Sequence, residues 1–424
     1  MMTREYKDSG IEWIGRIPKE WKISAIKHLM TLYAGATPKS DKDELWDGSI
    51  PWVTPADYKT EDVYVSLGRR NISVAGLSSC ATTLLPIDSI IFSKRAPIGL
   101  VVLNNVPLCT NQGCIGCVPY KNKANSKYYY YVLSVFTEQF ELYGSGTTFK
   151  EISANNFANF IVSVPPLPEQ QRIADYLDKK CGEIDELIAL QEQMIAQLTD
   201  YKQSVITEAV TKGLNPDAEL VPSGIDWIGD VPKHWDIIKI GFIFDNLDYL
   251  REPISAELRE RNNPQYDYYG ASGVIDKIDH YNVDDKVLLI GEDGANLIMR
   301  NLPLVYKAEG KFWVNNHAHI LKPKKDDYDY MAHALEAANY HNYITGSAQP
   351  KLSQENLQAV KIPVPPLSEQ QSIASYLDTK CSEIDSLIAI KQQKIETLKD
   401  YKKSVIYEAV TGKMTLLFNE LTKN

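Results

Sequence analysis

Cys109, Cys114 and Cys117 are the residues of this sequence best suited to a soft metal, since thiolates bind zinc and Cys114 and Cys117 form a CxxC pair. A structural zinc site needs a second pair at comparable spacing, and no further CxxC or CxxH stands near, so packing is the favoured reading. His317 and His319 are two apart and share one face of a strand; with no carboxylate at helical spacing they suit packing or hydrogen bonding better than a metal. The stretch Gly144 to Lys150, GSGTTFK, lacks the order of a phosphate-binding loop, which requires Gly-Lys followed by Ser or Thr. Asn263-Pro264-Gln265-Tyr266 approaches the Asn-Pro-Pro-aromatic motif of adenine-N6 methyltransferases but departs at Gln265, and no glycine-rich cofactor strand precedes it. Turn chemistry accounts for it. Neither a Ser/His/Asp nor a Cys/His arrangement emerges from spacing, so no catalysis, cofactor or metal is expected of the chain.

These residues are spread over 424 positions, enough for two or more cores. Apolar residues make up 44% and charged residues 24%, ordinary values for a globular protein. The first fifteen residues are charged throughout and the apolar runs are of strand length, which predicts no membrane span and a cytoplasmic protein. Six cysteines are too few for a disulfide framework and fit a reducing compartment. Cys181 and Cys381 fall at matching places on two helices, where they read as small apolar packing residues.

The chain is self-similar. Val164 to Thr211 and Val364 to Thr411 align without a gap at an offset of 200, from VPPLPEQQ and VPPLSEQQ to SVITEAVT and SVIYEAVT. Roughly two thirds of the positions are identical, which establishes a duplication. A second pair, SGIEWIG from Ser9 and SGIDWIG from Ser223, leads into two regions that share little. Expected boundaries are a variable domain at 1–163, a helix at 164–213, a second variable domain at 214–363, a second helix at 364–413 and a tail at 414–424. Prolines at 165, 166, 365 and 366 precede the helices, and Gly213 and Gly412 end them.

A spacing of four and three runs along each helix: Leu177, Cys181, Ile184, Ile188, Gln191, Ile195 and Leu198 in the first; Leu377, Cys381, Ile384, Ile388, Lys391, Ile395 and Leu398 in the second. About forty residues give roughly 60 Å of helix, more than one compact domain would bury. An antiparallel coiled-coil pair is therefore expected, in a cyclic pseudo-twofold arrangement, with Gln191 and Lys391 as polar interruptions that fix register. Ile173, Tyr176, Leu187, Met194, Tyr201 and Ile206 widen the apolar stripe beyond what one partner covers, which predicts docking of other subunits unless the helices fold back on the variable domains. The variable regions hold short β-branched runs between turn signals, together with helical runs near 127–143 and 330–343. The fold class expected is α+β, with two β-rich domains separated by two long helices. Tyr128 to Tyr131 read as helix packing.

The repeated PPLPEQQ and PPLSEQQ helix starts, the EIDELIA and EIDSLIA middles and the paired SGI-W-IG segments resemble the specificity subunits of type I restriction-modification systems over essentially the whole chain. The resemblance implies a non-catalytic subunit whose two variable domains each read half of a bipartite, asymmetric target in double-stranded DNA. It also implies that the helices set the spacing and dock two methyltransferase subunits, which methylate adenine, while ATP-dependent restriction subunits complete the assembly.

The net charge of −10 offers no basic slab: residues 1–163 carry 17 Lys and Arg against 15 Asp and Glu, and residues 214–363 carry 15 against 23. Phosphate neutralisation must then come from local clusters such as Arg69, Arg70, Lys94 and Arg95, or from partner subunits. Family members resemble the chain around Lys94 and Arg95 and around Asn111 and Gln112 in the first domain. In the second they do so around Glu292 and Asp293 and around Asn315, Asn316 and His317. Arg suits guanine, and Asn or Gln suits adenine, so these loops are candidates for base contact; bracing of turns is an equal alternative. Thr147, Thr148 and Lys150, with Gln349 and Lys351, lie on polar loops that could reach phosphates or base edges. Two other functions stay open at this level: a divergent DNA methyltransferase or nuclease, and a helix-mediated scaffold without a DNA role.

Overall fold

The computed structural model describes residues 4–95, 97–146, 150–259, 265–346 and 349–414. Asn263, Pro264 and most of the tail, 415–424, lie outside the described residues. The chain divides into two compact units, Met1–Gln191 with Gln393–Asn424, and Glu192–Gln392.

In the first unit β1 (Met30–Ala34), β2 (Tyr64–Val65), β3 (Ile90–Lys94), β4 (Ile98–Asn104) and β5 (Cys114–Pro119) form a sheet of order β1-β5-β3-β4-β2. Neighbours are antiparallel except β2, which runs parallel to β4. Strand alternation sends Ile90, Phe92, Val101 and Leu103 to one face and Ile91 and Val102 to the other, where Val53, Tyr58 and Leu108 cover them. The first face is covered by α1 (Ser126–Val135), capped by Asn125, whose Oδ1 accepts from the Tyr128 N–H at 2.9 Å. All four tyrosines 128–131 are buried, because the helix also packs on the long helices: Tyr131 Oη donates to Asp178 at 2.8 Å and Tyr128 Oη to the Val410 carbonyl at 3.1 Å.

In the second unit β6 (Phe244–Asn246), β7 (Tyr266–Gly270), β8 (Gly273–Ile278), β9 (Val283–Gly291), β10 (Val305–Val314) and β11 (Ala318–Pro323) pair in the order β6-β11-β9-β10-β7-β8. The first five strands repeat the order and directions of the first unit, including the parallel pair, here β7 with β10. Duplication therefore extends into the variable regions, where the sequences show little of it.

The long helices are α2 (Leu167–Lys212) and α4 (Leu367–Val410); between α1 and α4 lies α3 (Tyr328–Ala337), the counterpart of α1. In each unit half of α2 runs antiparallel to half of α4. Lys402 Nζ meets both oxygens of Asp185 at 2.7 Å in the first unit, and Lys202 Nζ meets both of Asp385 at 2.7 Å in the second, one interaction repeated at the 200-residue offset. The seam follows its expected period: Leu177, Ile184, Gln191, Leu377, Ile384 and Ile395 are buried, and Ile188, Ile195, Leu198, Ile388, Lys391 and Leu398 half-buried. Lys391 Nζ lies 3.5 Å from Met194 Sδ. Both helices end on glycines in the left-handed region, Gly213 at φ +74° and Gly412 at +72°, where a Cβ on Gly412 would come within 2.4 Å of Pro18.

The shared PEQQ and SEQQ starts turn out to be sockets. Glu169 accepts from Trp21 Nε1 and Glu369 from Trp235 Nε1, both at 3.0 Å, while the buried Gln170 and Gln370 cap α1 and α3 through the Asn125 and Asp327 N–H groups. Two expectations are refined. Ile173 and Ile206 are buried in the cores of their units, so the helix ends do fold back on the variable domains. Leu187, Met194 and Tyr201 remain exposed, as do Leu387 and Tyr401 at the repeat offset.

Candidate nucleic-acid interface

In the first unit the polar candidates gather at one end of the sheet. Strand β3 delivers Lys94, whose N–H donates to the Gly113 carbonyl at 2.9 Å and so ties the strand end to the 110–113 loop. Lys94 Nζ and Arg95 Nη1 face the Glu151 carboxylate at 2.7 and 3.6 Å. Asn111 is a brace: its N–H donates to the Val53 carbonyl at 3.0 Å and its Oδ1 accepts from the Gly113 N–H at 2.9 Å. That fold leaves Gln112 exposed at the tip, with the Thr37 hydroxyl against its Oε1. Arg69 is solvent-facing beside the buried Asp57, which caps the adjacent turn from Thr54. Arg70 pairs with Asp47 at 3.0 Å and stacks 4.4 Å over Trp46. Lys150 is exposed; Thr147 and Thr148 lie outside the described residues.

The second unit assembles its own set. Glu292 is buried between Arg251 and Lys351, the latter at 2.9 Å; burial acts to raise its carboxyl, but Lys351 and Arg251 together hold it below the usual range. Asp293 accepts from His317 Nδ1 at 2.7 Å. Asn315 is buried and accepts from the His317 N–H at 2.8 Å, whereas Asn316 and His317 are exposed. Gln349 is exposed; Ser347 lies outside the described residues. His319 takes the structural role expected of it: fully buried, its Nδ1 meets Asp248 Oδ2 at 2.6 Å and its Nε2 donates to the Leu352 carbonyl at 2.8 Å. Here too burial opposes ionisation of Asp248, yet His319, the Ile320 N–H and Arg251 keep its carboxyl depressed.

The geometry thus separates Asn111, Glu292 and Asn315, which hold loops together, from Gln112, Lys150, Asn316, His317, Gln349 and Lys351, which face solvent, with Arg95 half-buried against Glu151. Sequence reasoning missed Glu151, Arg251 and Asp248, since each matters only through a partner remote in the chain. The cysteines are unsuited to a shared ion. Cys114 and Cys117 sit three apart on β5 and face opposite sides of the sheet, and burial pushes the Cys109 thiol up to about 11 and Cys114 to about 12. Among the described residues no cluster of three His, Cys, Asp or Glu could hold a metal, and no helix is long and apolar enough to cross a membrane.

A family model described as the type I restriction modification DNA specificity domain matches residues 18–200 and again 232–400. The chain belongs to this family. Among its relatives are the MjaIX specificity subunit of Methanocaldococcus jannaschii, 36% identical over 251 residues, and the putative MjaX specificity subunit of the same organism, 25% identical over 426 residues. The chain spans about half the length of the MjaIX subunit, 54%, with 56% of its own length matched, but 95% of the MjaX subunit and 95% of itself. A chain solved in work on complex assembly and conformational transition of the type I R-M system superposes with TM-score 0.70 at 15% identity, covering 94% of this chain and 99% of that one. An HsdS subunit from Thermoanaerobacter tengcongensis gives 0.50 at 16% identity over 94% and 98%. These likenesses bear on the fold, a pair of specificity domains of α+β type with a long helix between them.

Proposed function

We propose that this specificity-domain chain is the non-catalytic DNA-reading subunit of a cytoplasmic type I restriction-modification complex. Each unit reads one half of a bipartite target in double-stranded DNA. The family match carries the reading: it occurs twice, once over each variable domain and its following helix. Because the exposed polar side chains differ between the units, the two halves of the target differ. Two modification subunits dock on the helices, supported by the exposed apolar residues that recur at the 200-residue offset, Leu187 with Leu387 and Tyr201 with Tyr401. ATP-dependent restriction subunits join the same assembly. The modest local positive charge fits a division in which partners supply most of the phosphate contacts.

Methylome sequencing of a host carrying this chain with its modification partner tests the proposal. One split motif with unlike halves is expected, and methyl transfer is expected only when the partner is present. Methylation without a split motif, or methyl transfer by the purified chain alone, would overturn it. Leu187→Lys with Leu387→Lys should abolish co-purification of the modification subunit while leaving the thermal midpoint in place.

A further inference from the structure

Two loops, one in each unit, are bonded alike although their sequences share only an asparagine. In the first unit the Lys94 N–H donates to Gly113 O, the Asn111 N–H to Val53 O and the Gly113 N–H to Asn111 Oδ1, at 2.9, 3.0 and 2.9 Å; Arg95 bridges to Glu151. In the second unit the Glu292 N–H donates to His317 O, the Asn315 N–H to Tyr269 O and the His317 N–H to Asn315 Oδ1, at 2.9, 3.0 and 2.8 Å; Asp293 bridges to Lys351. The bonding itself assigns the equivalences. Asn111 corresponds to Asn315, Gln112 to Asn316, Lys94 to Glu292, Arg95 to Asp293 and Glu151 to Lys351.

Across these pairs the bracing asparagine is kept and the exposed tip remains a carboxamide, but every charge changes sign. Two cations face one carboxylate in the first unit, Lys94 and Arg95 against Glu151. In the second two carboxylates occupy the cations' places and a lysine the carboxylate's place. A position that anchored phosphate in both units would keep its sign, because phosphate charge does not depend on sequence. Base edges present donor and acceptor patterns that do depend on sequence, so a position facing them is free to invert. A carboxamide offers one donor and one acceptor side by side, the complement of adenine N7 and N6 in the major groove.

We propose that Gln112 and Asn316 are corresponding base-reading side chains, each set against an adenine, and that the sign-inverted ion pair beside each tip, Lys94–Glu151 or Glu292–Lys351, selects the neighbouring base pair. The inference rests on the DNA-reading function proposed above.

The test uses the chain assembled with its modification subunit and compares methylated motifs by methylome sequencing. Gln112→Ala should relax one A·T position in one half of the motif, and Asn316→Ala one A·T position in the other half. Each should lose roughly ten- to hundredfold in discrimination there, with the remaining positions unchanged. Lys351→Gln removes the exposed cation while Arg251 still pairs Glu292, and should change preference only beside that position in the second half. Motifs identical to wild type, or a fall in methylation spread evenly over all sequences while the thermal midpoint and co-purification hold, would overturn the proposal. Should an alanine variant not fold, Asn316→Gln preserves the carboxamide and alters its reach; an unchanged tolerance at every position in that variant overturns it equally. If the unsubstituted complex yields no split motif, the DNA-reading function fails, and not this assignment alone.

Discussion

Replacing Gln170 or Gln370 should show how firmly the long helices are seated on their units. Gln170 is fully buried: its Oε1 accepts from the Asn125 N–H at 2.9 Å, and its Nε2 donates to the Pro165 and Lys123 carbonyls at 3.0 Å. Gln370 accepts from the Asp327 N–H at 2.8 Å and donates to the Pro365 carbonyl and to Asp326 Oδ1, both at 2.9 Å. Alanine removes three hydrogen bonds at either site. Lys123 is exposed, so solvent can compensate its carbonyl and Gln170→Ala leaves two poorly hydrated orphans, whereas Asp326 is partly buried and Gln370→Ala leaves at least two; at roughly 1–3 kcal/mol each, a loss of about 2–6 kcal/mol is expected for each variant. Glutamate keeps the shape and exchanges the donor for an oxygen. In Gln170→Glu that oxygen faces two carbonyls; in Gln370→Glu it faces a carbonyl and the Asp326 carboxylate, so the second is the more harmful near neutral pH. A carboxyl in such a place has its folded pKa raised above its unfolded value, so the damage is full above the folded pKa and shrinks as pH falls through it. Urea midpoints at pH 8 and pH 5.5 measure this. An alanine variant within about 0.5 kcal/mol of wild type, or a Gln370→Glu deficit unchanged between the two pH values, would refute the socket reasoning.

The Lys402–Asp185 and Lys202–Asp385 pairs share one geometry, so double-mutant cycles should return equal couplings of about 0.3–1 kcal/mol, both fading in 1 M salt; unequal values would mean that the repeated contact differs in solution. Cys114 and Cys117, buried on opposite sheet faces, should resist alkylation at pH 8 in the folded chain, and a zinc chelator should leave the thermal midpoint unmoved; a drop would reveal a metal. Asp248 has a folded pKa below its ordinary 3.8, so its stabilisation is complete above that value and lost as pH falls through the folded pKa. Asp248→Asn should therefore be destabilised at pH 7, with the gap to wild type narrowing below about pH 4 in acid-unfolding curves.

The helices were legible because duplication and the four-three spacing are local in the chain, and burial at Leu177, Ile184, Leu377 and Ile384 follows the spacing directly. Terminating glycines and packing tyrosines were legible for the same reason, each being a property of one short stretch. The sockets were not. Glu169 and Gln170 look like ordinary first-turn residues until Trp21 and Asn125 are brought to them across the fold. The common strand order of the variable domains was equally hidden, since a sheet needs only alternation and turns, and very different side chains satisfy both. At the candidate interface the sequence marked the polar loops but not the division of labour within them. Whether an asparagine braces or protrudes depends on the backbone N–H two residues on, which is why Asn111 and Asn315 turn inward beside exposed Gln112 and Asn316.

That division has a physical consequence for how the proposed base-reading loops can change their target. Main-chain bonds from Lys94 and Glu292, and the side-chain braces of Asn111 and Asn315, fix each loop without using the tip or the neighbouring charges. Substitution at the tip then costs little stability, since exposed positions away from buried partners usually shift it by less than about 0.5 kcal/mol. Glu292 differs: buried between Arg251 and Lys351, it cannot be removed alone without leaving unpaired charge. Charges at this place are therefore expected to change as sets, and the coordinated inversion between the two units has that form.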